Sequence, residues 1–291
     1  MVKKYGDLYL DTRRALLATE DAQSAGMIAR QLVCHISGQS QEFILANRDL
    51  YVSDDIVKNA EKALARLLEG EPLAYVLGEW EFYGLPLKVT HDVLIPRDDT
   101  CAVAALAIRQ GLFLEQDPRI LDLCCGSGCI GLAVASRVKD AKVTLADLSQ
   151  KALAIAKENV ALNKLTGRVR CIQADALAPA PAFLGKFDMI ISNPPYIPEC
   201  EMADLPHSVK DYEPHMALVA GEDGLDFYRS IAEHYTAALK PGGYLCLEFG
   251  EGQGNDICGI LEAKGYTILE RSRDYNDRER AVLAQYGRKE D

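Results

Sequence analysis

The sequence predicts an α/β protein: a seven-strand, mostly parallel sheet with one antiparallel strand, preceded by a small helical bundle. Three observations carry this expectation. From about residue 100 onward, short apolar runs alternate with helical stretches, the pattern of βαβ units that build a parallel sheet. The last two runs are joined only by the charged stretch Arg271 to Arg280, too short for a crossover helix, so they pair antiparallel. Residues 1 to about 78 carry apolar stripes at steps of three and four, which is the helical period.

In the helical region, Ala25, Ile28, Ala29, Leu32, Val33 and Ile36 fall on one face, as do Ile56, Ala60, Ala63, Leu64, Leu67 and Leu68, with Ser53 placed as an N-cap. Leu8 to Leu17 and Phe43 to Ala46 give two weaker stripes. Several one-faced helices must pack together, so residues 1–78 read as a bundle domain. Gly70 and Pro72 end its last helix. Residues 79–100 hold aromatic and β-branched residues around Gly84, a hairpin and linker. Residues 101–291 form the sheet domain. Its strands are expected at Arg119–Leu123, Lys142–Ala146, Val169–Gln173, Phe187–Ser192, Gly243–Phe249, Tyr266–Glu270 and Ala281–Gln285. Between them, Ala152, Leu153, Ala156 and Val160 make a helical stripe behind the cap Ser149.

Composition limits the function classes. The chain has 291 residues, 48% hydrophobic and 26% charged, ordinary for a globular protein. No apolar run approaches the length of a membrane helix, and the first residues have no signal-peptide core, so a cytoplasmic location is expected. The nine cysteines include no Cys-x-x-Cys pair; without a secretory signal they read as reduced thiols serving as small buried residues. A net charge of −11 argues against nonspecific nucleic-acid binding, which runs on basic residues, and suits a basic protein partner.

Two segments carry chemistry. Ile120 to Gly131 reads as a strand, a turn of small residues (Cys124, Cys125, Gly126, Ser127, Gly128) and a helix from about Ile130. Ligands of open sheets bind outside the carboxyl ends of the strands. Asp147 closes the next strand, 19 residues after Gly128, where a carboxylate can accept from both ribose hydroxyls. Gly126, Gly128 and Gly131 also fit the dinucleotide fingerprint, so this turn alone does not separate an S-adenosylmethionine site from an NAD site. Asp175 and Ala176 follow the third strand, where the acid can accept an adenine amino group and the Ala176 backbone can read the ring edge.

The second segment is Asn193-Pro194-Pro195-Tyr196, immediately after the buried fourth strand. That strand is expected beside the first, so the tetrapeptide faces the glycine turn. An amide or exocyclic amino nitrogen attacks poorly because its lone pair is delocalised. Two acceptors, the Asn193 side-chain oxygen and the Pro194 carbonyl, can take its two N–H groups and aim the lone pair at a sulfonium methyl in line with the leaving sulfur. Pro194 and Pro195 stiffen the corner, and Tyr196 offers a flat face to the planar group. No metal or strong base is required, because the sulfonium is a good leaving group.

With these residues in place, the chain resembles the peptide-chain release-factor glutamine methyltransferases, the PrmC/HemK family, over nearly its whole length. The matching pieces are Glu81-Phe82-Tyr83-Gly84, Val93-Leu94-Ile95-Pro96-Arg97, Ile120-Leu121-Asp122-Leu123 with its glycines, Ile191 to Ile197, Glu213-Pro214, Ala220 to Leu225 and Leu239-Lys240-Pro241-Gly242-Gly243. The Asn-Pro-Pro-Tyr piece is shared with adenine methyltransferases; the later run through Gly224 and the helical N-terminal domain are more specific. The resemblance implies a class I methyltransferase-like fold and methyl transfer from S-adenosylmethionine to the glutamine amide of the Gly-Gly-Gln loop in class I release factors. It implies that the bundle grips the release factor, and that Cys124 to Gly128 line the methionine and ribose part of the cofactor. Asp147 then serves the ribose, Asp175 and Ala176 the adenine, and Asn193 to Tyr196 the glutamine, with Asn193 also touching the cofactor. A monomer with no membrane and no nucleic-acid substrate is expected. Two departures stand out: Cys101 replaces a usual Glu after Asp98, Asp99 and Thr100, and Cys125 replaces a usual Thr.

Three other readings share parts of the pattern. A DNA or RNA amino-methyltransferase uses the same acceptor geometry but calls for a basic face with aromatic residues. An NAD-dependent oxidoreductase shares the glycines and gives no reason for residues 193–196. A non-catalytic adapter that binds release factor is argued against by the intact Asn193 and Pro194.

Overall fold

The computed structural model describes residues 3–287; the outer ends of the two expected domains, residues 1–2 and 288–291, lie outside the described residues. The chain forms two compact units, one of residues 1–78 with 207–212 and one of residues 79–206 with 213–291.

The first unit contains α1 (Tyr5–Leu16), α2 (Ala22–Ser37), α3 (Gln41–Ala46), α4 (Asp54–Leu68), α5 (Leu73–Leu77) and the single turn α9 (His207–Lys210). Ser53 caps α4, its hydroxyl accepting from the Ile56 N–H at 3.3 Å, which satisfies one of the orphan donors of the first turn. Asp21 caps α2 by accepting from Gln23 and Ser24. The α2 and α4 stripes meet: Leu16, Ala25, Ala29, Leu32 and Leu67 pack in one cluster, and Tyr5, Leu8, Val33, Val57 and Ala60 in another. Leu68, expected on the buried face, is exposed. Gly70 and Pro72 end α4 as expected, but Pro72 also starts the unforeseen α5; proline fits a helix start because its missing N–H would be unpaired there anyway.

The second unit opens with the hairpin β1 (Glu79–Phe82) and β2 (Leu85–Lys88). Its two turn residues, Tyr83 and Gly84, both have positive φ, the backbone that matches the twist of a tight hairpin. Then follow α6 (Cys101–Gly111), β3 (Arg119–Leu123), α7 (Cys129–Arg137), β4 (Lys142–Asp147), α8 (Gln150–Leu162), β5 (Val169–Gln173) and β6 (Phe187–Ser192). The chain ends with α10 (Asp226–Ser230), β7 (Leu239–Glu248), α11 (Gly254–Ala263), β8 (Tyr266–Arg273) and β9 (Glu279–Tyr286). All seven expected strands of the large sheet are present, in the order β5-β4-β3-β6-β7-β9-β8. β9 runs antiparallel to both β7 and β8, inserted between them one strand in from the edge. The final hairpin is longer than expected. Its ladder extends to Arg273 and Glu279, leaving a short turn in which the Asp274 carboxylate accepts from the Asn276 and Arg278 N–H groups.

Alternate strand residues face opposite layers. Ile120, Met189 and Ile191 pack with Val103, Leu106 and Leu132, whereas Leu121, Leu123 and Ile190 pack with Tyr228, Tyr235 and Leu261. No helix among the described residues is long and apolar enough to cross a membrane. All nine cysteines are unpaired; Cys125, Cys129 and Cys246 are buried, whereas Cys200 is exposed, contrary to the expectation of buried thiols.

Candidate functional site

β3 and β6 are hydrogen-bonded neighbours, with Leu123 opposite Ser192. The turn after β3 and the corner after β6 therefore start side by side at the carboxyl edge of the sheet. The Ser192 hydroxyl locks them together by donating to the Leu123 carbonyl at 2.6 Å.

The turn after β3 is held from several directions. Cys124 has a φ of +58°, uncommon for a side-chain-bearing residue. The Cys125 N–H donates to the Ala146 carbonyl at 3.0 Å and the Gly126 N–H to Asp147 Oδ2 at 2.8 Å. Asp147 Oδ1 accepts from the Ser149 N–H at 2.9 Å. Burial raises the Asp147 carboxyl above its ordinary range against these hydrogen bonds. The Gly131 N–H donates to Asp122 Oδ2 at 2.8 Å; a Cβ on Gly131 would collide with Leu145 and crowd that carboxylate. Burial pushes Asp122 up to about 7. Behind the turn, the buried Asn159 amide donates to the Ser127 carbonyl at 2.9 Å and the Lys88 carbonyl at 3.0 Å. It so ties the turn to the β1–β2 hairpin, a contact across 71 residues that no local signal foretells.

A cleft of about 710 Å³, counting its open mouth, lies at these strand ends. Of the residues singled out from the sequence, Cys124, Gly126, Asp147, Asp175, Ala176, Asn193 and Pro195 line it together. Cys125, Ser127 and Gly128 are buried in the turn and do not line it; neither do Pro194, which is buried, or Tyr196. The cleft is also walled by Leu94, Leu148, Met216 and Phe227. Val93-Leu94 and Glu213-Pro214 belonged to matched pieces, but nothing in their spacing told that they would meet. Their loops are joined by an ion pair between Arg97 and the buried Glu213. Glu213 also accepts from the Ile95 N–H at 3.4 Å.

Among the described residues the lining carries three carboxylates, Asp92, Asp147 and Asp175, and no Lys or Arg. Such a surface suits a cationic ligand and disfavours the pyrophosphate of a dinucleotide. Asp147 already accepts one backbone N–H at each oxygen, which leaves one lone-pair direction on each for a diol. Asp175 Oδ1 accepts from the Leu177 N–H at 2.8 Å and its carbonyl from the Tyr235 hydroxyl at 2.8 Å, so the loop after β5 is anchored before any ligand arrives.

At the corner, Asn193 Nδ2 donates to the Thr100 hydroxyl at 3.4 Å. No described residue donates to Asn193 Oδ1 or to the Pro194 carbonyl. The Tyr196 carbonyl accepts from Gln253 Nε2 at 3.0 Å, and burial pushes the Tyr196 phenol up to about 12, so it stays neutral. Two unengaged carbonyl oxygens on a proline-stiffened corner can grip a planar NH2 group. Thr100 and the buried Glu248 next to it were missed by sequence reasoning.

Comparison with known proteins agrees with this architecture. The methyltransferase small domain model matches residues 104–205, and the PrmC N-terminal domain model matches residues 10–78. The release factor glutamine methyltransferase of Clostridium acetobutylicum is 36% identical over 256 residues, covering 88% of this chain and 90% of that protein. The Vibrio cholerae protein of the same name is 38% identical over 277 residues, covering 92% and 94%. Among solved structures, a methyltransferase from Pyrococcus furiosus aligns with a TM-score of 0.51 at 18% identity, covering 78% of this chain and all of that one; this likeness concerns the fold.

Proposed function

Because the chain belongs to the release factor glutamine methyltransferase family, we propose that it methylates the side-chain amide nitrogen of the glutamine in the Gly-Gly-Gln loop of class I peptide chain release factors, with S-adenosylmethionine as donor. The observation that carries this reading is the meeting of Asn193 and Pro195 with Cys124, Gly126 and Asp147 in one cleft.

The residues fit the donor. Asp92, Asp147 and Asp175 face a ligand with a positive sulfonium and ammonium group. Asp147 has a free lone-pair direction on each oxygen for the ribose hydroxyls, and Leu148 and Phe227 offer apolar walls for an adenine ring. When bound, S-adenosylmethionine supplies an electrophilic methyl group on a sulfonium that leaves as S-adenosylhomocysteine. The chain's part is orientation. Asn193 Oδ1 and the Pro194 carbonyl accept the two amide N–H groups, Tyr196 packs against the plane, and the lone pair is turned toward the cleft. The new N–C bond forms as the C–S bond breaks, and the nitrogen releases one proton to water.

The helical unit engages the release factor. Its match to the PrmC N-terminal domain model and its exposed Met27, Leu45, Leu50 and Tyr51 support that role. Nine unpaired cysteines suit a reducing cytoplasm. The test is to incubate the full chain and labelled S-adenosylmethionine with a class I release factor or with total RNA. Label is expected in the release factor at the glutamine; label only in RNA overturns the reading.

A further inference from the structure

Asn193 can serve as acceptor to a substrate NH2 only if its amide is held with Oδ1, not Nδ2, toward that group. The two ends differ only by which protons they carry, so the surrounding hydrogen bonds must decide. β7 lies beside β6, with Leu247 opposite Ser192, and the next residue along β7 is Glu248. Its side chain is buried, at 2% exposure. Thr100, also buried at 2%, precedes α6 and meets it: the Thr100 hydroxyl donates to Glu248 Oε1 at 3.2 Å. Asn193 Nδ2 reaches the same hydroxyl oxygen at 3.4 Å.

We propose that Thr100 and Glu248 are positioning residues that fix the polarity of the Asn193 amide; this rests on the methyl-transfer reading above. A hydroxyl has a single proton. Thr100 commits it to Glu248, so only lone pairs remain on Oγ for Asn193. Asn193 must then turn Nδ2 toward Thr100, and its Oδ1 faces the other way, as the acceptor for the substrate. Glu248 keeps this direction when it is ionised, and also when it is neutral with its proton on Oε2, because in both forms Oε1 accepts from the Thr100 hydroxyl. Glu248 Oε2 has no hydrogen-bond partner among the described residues, and an unsatisfied buried polar atom calls for an explanation. Burial raises this carboxyl, while the Thr100, Asn193 and Arg280 groups around it act the other way.

The test uses the full chain with Thr100→Val, which keeps the volume and loses the hydroxyl, and Thr100→Ser, which restores it. Turnover on a release factor is measured with KM and with the Kd for S-adenosylhomocysteine. Thr100→Val is expected to lower kcat by roughly 10-fold or more, from loss of one preorganised polar contact, with KM and Kd within about twofold. Thr100→Ser is expected to stay within about twofold of the parent. In parallel, the Asn193 side-chain NH2 signal, assigned by its loss in Asn193→Ala, is followed by NMR for exchange with water. Slow exchange in the parent and in Thr100→Ser, with faster exchange in Thr100→Val, is expected. Unchanged kcat and exchange in Thr100→Val, or an equal loss in Thr100→Ser, overturns the proposal. If the parent itself leaves release factor unmodified, the methyl-transfer reading falls, and the exchange measurement still decides whether Thr100 orients Asn193.

Discussion

Gly126 donates its backbone N–H to the Asp147 carboxylate at 2.8 Å, so the residue at the tip of the glycine turn and the residue ending β4 form one rigid edge of the cleft. Asp147 serves the turn with one set of lone pairs and keeps the other set for a ligand. Asp147→Asn replaces one acceptor oxygen by a donor that faces a backbone N–H. The variant is expected to bind S-adenosylhomocysteine about 10- to 100-fold more weakly, the cost of losing hydrogen bonds to a charged group. Isothermal titration checks this; an unchanged Kd removes Asp147 from the ligand site.

Asn193→Ala deletes one of the two unengaged acceptors at the corner. Its kcat is expected to fall by roughly 10²-fold or more while cofactor affinity is largely kept. Single-turnover kinetics beside a binding titration separates the two quantities. Near-normal turnover would take the amide out of the reaction.

Arg97 pairs with Glu213, whose side chain is buried, and the pair joins the two loops that bring Leu94 and Met216 to the cleft. Arg97→Ala leaves a buried carboxylate without its cation. Arg97 is itself partly exposed, so solvent softens the loss. The variant is expected to melt at lower temperature and to bind S-adenosylhomocysteine several-fold more weakly. Calorimetry and titration read both. A lower melting temperature with full affinity would show that the loops keep their places without the pair.

Asp122 is buried, its Oδ1 has no hydrogen-bond partner among the described residues, and its carboxyl is pushed up to about 7. The folded state thus holds a proton that the unfolded chain releases near pH 4. Stability from this group is fully present below about pH 4 and is lost as pH rises through about 7. Asp122→Asn has no such titration and keeps an acceptor for the Gly131 N–H. Its melting temperature relative to the parent is therefore expected to climb between pH 5 and pH 8. A difference that stays constant across that window would mean Asp122 is ionised at both ends of it.

Several local features are legible in the sequence itself. Ser53 and Ser149 cap the helices they precede, because a cap is a contact over three residues. The strand β6 and the corner at Asn193 were legible because a buried apolar run and a Pro-Pro pair are both local in sequence. Where the expectation was too short, as at β8 and β9, the residues are polar and charged, and pairing with a neighbouring strand overrides their weak propensity.

What the amino-acid order determined by itself was the seven strands of the large sheet, the helical character of residues 1–78, the family, and which short segments carry chemistry. The meeting of the glycine turn with the Asn193 corner was expected from the strand order, but tertiary packing alone decided which other segments join them. Thr100 and Glu248 are 148 residues apart in the chain and Arg97 and Glu213 are 116 apart. Periodicity and turn chemistry act over a few residues, whereas these contacts exist only because β7 lies beside β6 and the loops close over the same strand ends.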